Sequence, residues 1–222
     1  MIRRPPRSTR KESSAASDVY KRQAQAEALA GGEPEAAEYS GSLWDIHSPF
    51  DIKVLEFIGH PLEGAANSKL ERLLSKGTNV RSYVTASVCY NGDVLANLIS
   101  HTTGALWSHS PRWAETLAFS ILISDLPREA RLCFTLYATA DEFSSVPVGW
   151  VSLMLMDFRG QLRTGLIGLK VWPYAEANPI TTCMENLSGN HTGTLFVELP
   201  TFAMPIRFPE NAVYDADEIA AS

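Results

Sequence analysis

On both sides of a short proline corner, residues 110–138 alternate apolar and polar side chains with a period of two. In the first arm Leu117, Phe119, Ile121 and Ile123 alternate with Thr116, Ala118, Ser120 and Leu122. In the second, Leu132, Phe134 and Leu136 alternate with Cys133, Thr135 and Tyr137. Successive side chains of a strand point to opposite faces, so each arm predicts a half-buried strand. Ser124-Asp125-Leu126-Pro127 supplies the corner between them. Aspartate bonds nearby backbone amides there, and proline fixes φ and withholds a donor. A chain built around this strand pair is committed to an antiparallel β domain.

The flanking sequence extends the pattern. Residues 51–58 read as a first strand that Pro49 introduces, and residues 81–90 as a second, with Val84, Ala86 and Val88 on one face. Asn91-Gly92 is the strongest hairpin signal in the chain, and it returns a strand over about residues 93–100. Residues 149–156 are almost wholly apolar, as expected of a strand covered on both faces. Asp157-Phe158-Arg159-Gly160 forms a turn into residues 162–173, and residues 193–199 form a last long strand. Residues 202–208 continue extended to Pro209. The longest connection, residues 60–77, contains one helical turn near residues 68–74. About eight strands with regularly spaced turns predict an eight-stranded antiparallel β-sandwich.

Charge divides the chain into regions. The first 23 residues carry net +5, the segments 24–42 and 210–222 carry −4 each, and the domain 43–209 carries only −3. The basic opening resembles a translated sequencing-adapter or cloning scar rather than a part of the fold. Residues 24–42 are an acidic, alanine- and glycine-rich linker, and residues 210–222 an acidic tail, both expected to be disordered. No basic cluster within 43–209 suits nucleic acid. No apolar run is long enough to span a membrane. Three cysteines, Cys89, Cys133 and Cys183, make no even disulfide framework. They read as reduced thiols of a cytoplasmic protein, and the sequons at Asn186 and Asn190 as loop composition.

A family resemblance rests on particular residues. Trp113 and Glu115 ahead of an apolar strand, then Asp125, Leu126, Pro127, Arg128, Ala130, Arg131 and Leu132 in order, resemble the central strands of the C2 domain of phosphoinositide 3-kinases. Gly149-Trp150, Trp172-Pro173, Asn178-Pro179 and Phe208-Pro209 resemble the strands and exit that follow, so the likeness covers residues 43–209. Leu162-Arg-Thr-Gly and residues 178–183 resemble class I-like chains. The resemblance implies a non-catalytic module, cut from a lipid kinase whose kinase part lies well beyond it. It also implies docking to the helical and kinase domains or a regulatory subunit, and a peripheral place at membranes. A free-standing lipid-binding C2 protein is the other reading of the same residues.

No catalytic constellation stands out. The chain lacks a phosphate-loop motif, a G-x-S-x-G elbow and an H-E-x-x-H pair. Asp157-Phe158-Arg159-Gly160 is a kinase D-F-G only at first sight, because an arginine interrupts it. Calcium wants several converging carboxylates, and the candidate loops offer only Asp93 and the pair Asp141 and Glu142, without D-x-D spacing. No cofactor or metal is therefore expected. His101 and His109 read as loop residues. Some relatives carry a lysine-rich loop at the position of residues 139–147, and this chain has none there. Phe143 is then either an apolar membrane tip or local packing. Arg128 and Arg131 are candidates for contact with a neighbouring domain or subunit, or else surface charge paired locally with Glu129 or Asp125. Trp113, Trp150 and Trp172 are expected in the core.

Overall fold

The computed structural model describes residues 39–59, 80–108, 110–140, 145–180, 186–187 and 191–209. The opening segment, most of the linker, the acidic tail, the helical turn near 68–74, and Asp141, Glu142, Phe143, His109 and Cys183 lie outside the described residues.

Among the described residues eight long strands carry the fold: β2 (Pro49–Gly59), β3 (Arg81–Tyr90), β4 (Asp93–His101), β6 (Arg112–Leu122), β7 (Arg131–Thr139), β8 (Ser145–Met154), β9 (Gly165–Lys170) and β11 (Gly193–Leu199). Four two-residue pieces complete it: β1 (Gly41–Ser42), β5 (Ala105–Leu106), β10 (Trp172–Pro173) and β12 (Ile206–Arg207). One sheet runs β6-β2-β11-β9 and the other β10-β8-β7-β3-β4, with β5 paired to β3. The long-strand pairings are all antiparallel. This is the eight-stranded sandwich expected from the pattern.

The core lies between the sheets. Phe50, Ile52 and Val54 of β2 face Val84, Ala86 and Val88 of β3, and the six are almost wholly removed from water. Phe50 stacks on its register partner Phe119 with centroids 5.7 Å apart. β2 shifts register between Val54 and Glu56 against both neighbours. A bulge of this kind inverts the alternation, so Phe57, three residues after Val54, also reaches the core. Tyr90 pairs with Asp93 around Asn91 and Gly92, whose φ values of 52° and 87° make the type I′ turn anticipated for this dipeptide.

The opening stretch folds differently from a strand pair. β6 pairs with β2 in one sheet, whereas β7 pairs with β3 and β8 in the other. The corner is thus an arch between sheets. A 3-10 turn (Ile123–Asp125) begins it, and Ile123 and Ser124 donate backbone N–H groups to Ser48 and Ile46 at 3.0 Å each. Leu126 plugs the core, and Ala130 N–H donates to the Pro127 carbonyl at 2.9 Å. Alternation cannot separate an arch from a hairpin, because both place the same faces inward.

A second sheet change follows Lys170, since β9 lies in the first sheet and β10 in the second. β1 pairs in parallel with β12, so ordered pairing begins at Gly41, two residues before the expected boundary at 43. The connections that follow β2, β4 and β7 leave one end of the sandwich. The Asn91-Gly92 hairpin, the arch, the turn after β8 and the segments 39–48 and 200–209 lie at the other.

Candidate functional surfaces

The tryptophan–glutamate signature is a tie between the sheets. Trp113 is buried at the start of β6, and its Nε1–H donates across the core to the Ser82 carbonyl of β3 at 3.1 Å. Two residues on, Glu115 accepts the Thr103 backbone N–H at 2.8 Å and the Thr103 hydroxyl. Ala114 between them adopts φ 53°, and Trp113 and Glu115, two residues apart, point to the same face of the strand. Both signature residues therefore hold the loop end closed.

Gly149, Trp150, Trp172 and Pro173 form one cross-strand unit. Trp172 pairs with Trp150 and Pro173 with Gly149. A Cβ on Gly149 would lie 2.5 Å from Val171 Cγ1 and 2.7 Å from the Trp172 carbonyl oxygen, so only glycine fits there. Pro173 lacks a donor and occupies an edge strand, where none is needed. Trp150 and Trp172 depart from the core expectation. They are half-buried on the outer face of the second sheet, stacked with centroids 6.1 Å apart. Beside them the Ala177 backbone N–H donates to Thr135 Oγ1 at 3.0 Å, so the segment after β10 crosses this face. That cover explains why β7 is buried on both sides and why β8 is apolar.

Arg128 and Arg131, three residues apart, serve different surroundings. Arg128 leaves the arch toward Gly160 and lines a cavity of about 300 Å³ together with Arg159 and Arg207. Arg131 lines a cavity of about 390 Å³ with Cys89, Glu129 and Met154. Asp125 is exposed and accepts the Ser124 hydroxyl at 3.3 Å. The turn after β8 is also purely structural at its aspartate: Asp157 Oδ1 accepts the N–H groups of Arg159 and Gln161 at 2.8 Å each.

Cys89 and Cys133, read from sequence as reduced thiols, sit side by side on the outer face of the second sheet. Cys133 pairs with Ser87 and Cys89 with Arg131, which makes the two thiols diagonal neighbours. The hydrogen bond from Cys133 pulls the Cys89 thiol down to about 7 against the opposing effect of burial, with Ser87 and the Arg131 guanidinium assisting. The same hydrogen bond and burial push Cys133 well above the usual thiol range. A depressed folded-state value means that the native state releases its proton first, so Cys89 adds stability as pH rises from about 7 toward 9. Thiolate absorbance should accordingly show one group ionising near 7. Cys89→Ser should remove that group, and Cys133→Ala should return it toward the ordinary range. An unchanged titration in Cys133→Ala would refute the pairing.

At the loop end, a groove of about 780 Å³ is lined by Arg81, Tyr83, Thr85, His101, Thr139 and Ser145 among others. Tyr83 stacks on Tyr137 at 5.1 Å, meets His101 edge-on at 6.4 Å and donates its hydroxyl to Ser145 Oγ at 3.0 Å. None of the described residues lining the groove is a carboxylate. Among the described residues no three His, Cys, Asp or Glu side chains gather as a metal site would require, and no helix is long and apolar enough to cross a membrane.

Two packed antiparallel sheets, each with four long strands among the described residues, define a C2-like module. The phosphoinositide 3-kinase C2 family profile matches residues 79–198, more than half of the chain. The chain belongs to the phosphoinositide 3-kinase C2 family. Among curated relatives from Dictyostelium discoideum, it is 33% identical over 188 residues to phosphatidylinositol 3-kinase 1, covering 78% of this chain and 12% of that protein. It is 33% identical over 156 residues to phosphatidylinositol 3-kinase 2, covering 62% of this chain and 8% of that protein. It therefore spans only about a tenth of the length of these relatives.

Proposed function

We propose that this chain is the non-catalytic C2 module of a phosphatidylinositol 3-kinase. It docks the helical and kinase domains of its parent polypeptide, or a regulatory subunit, and helps place the enzyme at the cytoplasmic face of a membrane without calcium. The observation that carries this reading is the family match over residues 79–198, in which Trp113, Glu115, Leu126 and Gly149 are all engaged in packing and inter-sheet ties. A scaffold whose signature is structural recognises partners through its surface. The sequence offers its candidate loops only Asp93, Asp141 and Glu142, without D-x-D spacing, which supports the calcium-independent part.

Two measurements test it. Sequencing the transcript past Ser222 should reveal a continuing frame with helical and kinase regions; an immediate stop would favour a free-standing lipid-binding C2 protein. Co-sedimentation of the chain with anionic vesicles should be the same with calcium and with chelator. Binding that needs calcium would overturn the calcium-independent assignment.

A further inference from the structure

We infer that Cys89 is an oxidation site for hydrogen peroxide, and that Cys133 resolves it by closing a disulfide between β3 and β7. The site is separate from the docking and membrane roles proposed above and does not rest on them.

Three neighbouring strands of the second sheet present one patch of polar and sulfur-bearing side chains on their outer face. Cys133 of β7 lies opposite Ser87 of β3 and Ser152 of β8, and Arg131 lies opposite Cys89 and Met154. Paired residues share a face, and so do residues two apart along a strand, so all six belong to the patch. Cys89 Sγ lies 3.5 Å from Ser87 Oγ, and Cys133 Sγ lies 3.4 Å from Ser152 Oγ. The two thiols also share a hydrogen bond. Each sulfur is therefore fixed beside the other.

The cavity reaches one member of the pair. Cys89 lines the space of about 390 Å³ between the Asn91-Gly92 hairpin and Pro179-Ile180, with Glu129 and Arg131 in its wall, and Cys133 is not among the described lining residues. Both thiols are almost wholly buried, at 1% and 3% exposure. The reagent that reaches Cys89 must therefore be close to water in size. Hydrogen peroxide meets that limit, whereas a bulky disulfide does not. Hydrogen bonds from Cys133 and Ser87 and the charge of Arg131 favour the Cys89 thiolate, the form that attacks peroxide. Cys133 keeps its proton meanwhile. The geometry thus assigns the first step to Cys89 and the second to Cys133.

In the first step the Cys89 thiolate attacks one peroxide oxygen. The S–O bond forms, the O–O bond breaks, and the departing hydroxide takes up the proton that Cys89 had released, giving water. Cys89 is then a sulfenic acid. In the second step the Cys133 sulfur attacks the Cys89 sulfur. The S–S bond forms, the S–O bond breaks, and the Cys133 proton leaves with the hydroxide as a second water. Two electrons pass from the thiol pair to one peroxide. Diagonal neighbours sit about 7–8 Å apart, just beyond the upper limit of about 6.8 Å for an unstrained disulfide. β3 and β7 must draw together slightly to close the bridge, and a bridge of that kind is opened again by a dithiol.

The test uses the full chain with Cys183→Ser, which leaves Cys89 and Cys133 as its only cysteines. The folded protein is exposed to hydrogen peroxide, its remaining thiols are blocked with N-ethylmaleimide, and unreduced peptides are read by mass spectrometry. The peptides holding Cys89 and Cys133 should appear joined within a single chain, with the loss of two hydrogens, and dithiothreitol should separate them. Cys133→Ser should halt Cys89 at the sulfenic acid, which dimedone captures. Cys89→Ser should slow oxidation of Cys133 at least about tenfold. Circular dichroism checks the fold of each variant, and the joined peptide of the parent chain is decisive even where a variant does not fold. Thiols left free, oxygen gained only at Met154, a bridge between two chains, or unchanged oxidation of Cys133 in folded Cys89→Ser would each overturn the inference.

Discussion

Replacing Trp113 with alanine should lower the stability of the domain by about 4–5 kcal/mol. The indole is buried at the edge of the core, and its Nε1–H spans the two sheets to the Ser82 carbonyl. Truncation removes a large apolar volume that its neighbours cannot fill and also a hydrogen bond worth about 1 kcal/mol. Domains of this kind are stable by about 5–15 kcal/mol in total, so the variant should unfold at much lower urea concentration. Trp113→Phe keeps most of the volume and should cost about 1–2 kcal/mol. Urea unfolding followed by far-ultraviolet circular dichroism separates the two. A loss below about 1 kcal/mol for Trp113→Ala would mean that the tie between the sheets is not what the residue contributes.

The second large effect is expected at Gly149. A valine there would drive its Cβ into Val171 and, less avoidably, into the Trp172 carbonyl oxygen. The side chain of Val171 can yield, but the carbonyl belongs to β10, which is paired to β8 at this point. Relief therefore requires β10 to separate, taking the Trp150–Trp172 stack with it. Overpacking usually costs about 1–3 kcal/mol, and this case should fall at or above the upper end. Gly149→Ala should show a smaller loss in the same direction. If both variants matched the parent in urea unfolding, the close approach of β8 and β10 would be wrong.

Other residues show what the pattern of a chain can and cannot reveal. Asn91-Gly92 announced its turn because a type I′ turn depends on the φ values of two adjacent residues. The limits of β3 and β11 were likewise legible, since period-two alternation is a local property. The arch after β6 was not, because Ser124-Asp125-Leu126-Pro127 turns the chain equally well into a hairpin. Arg128 and Arg131 read as one pair of candidates, yet the arch at Pro127 and the start of β7 aim them at different cavities. Arg207 carried no signal, since it lies 48 residues beyond Arg159. Phe143, the membrane tip considered from sequence, falls outside the described residues.

Sequence alone determined that this chain forms antiparallel strands with apolar inner faces, and its ordered signature residues identified the family. Tertiary structure alone decided which sheet each strand joins, which aromatic rings face the core and which arginines share a pocket. The physical reason is range. Alternation and turn chemistry act between neighbours in the chain, whereas sheet order and surface clusters depend on contacts between distant residues, which only the packed sandwich brings together.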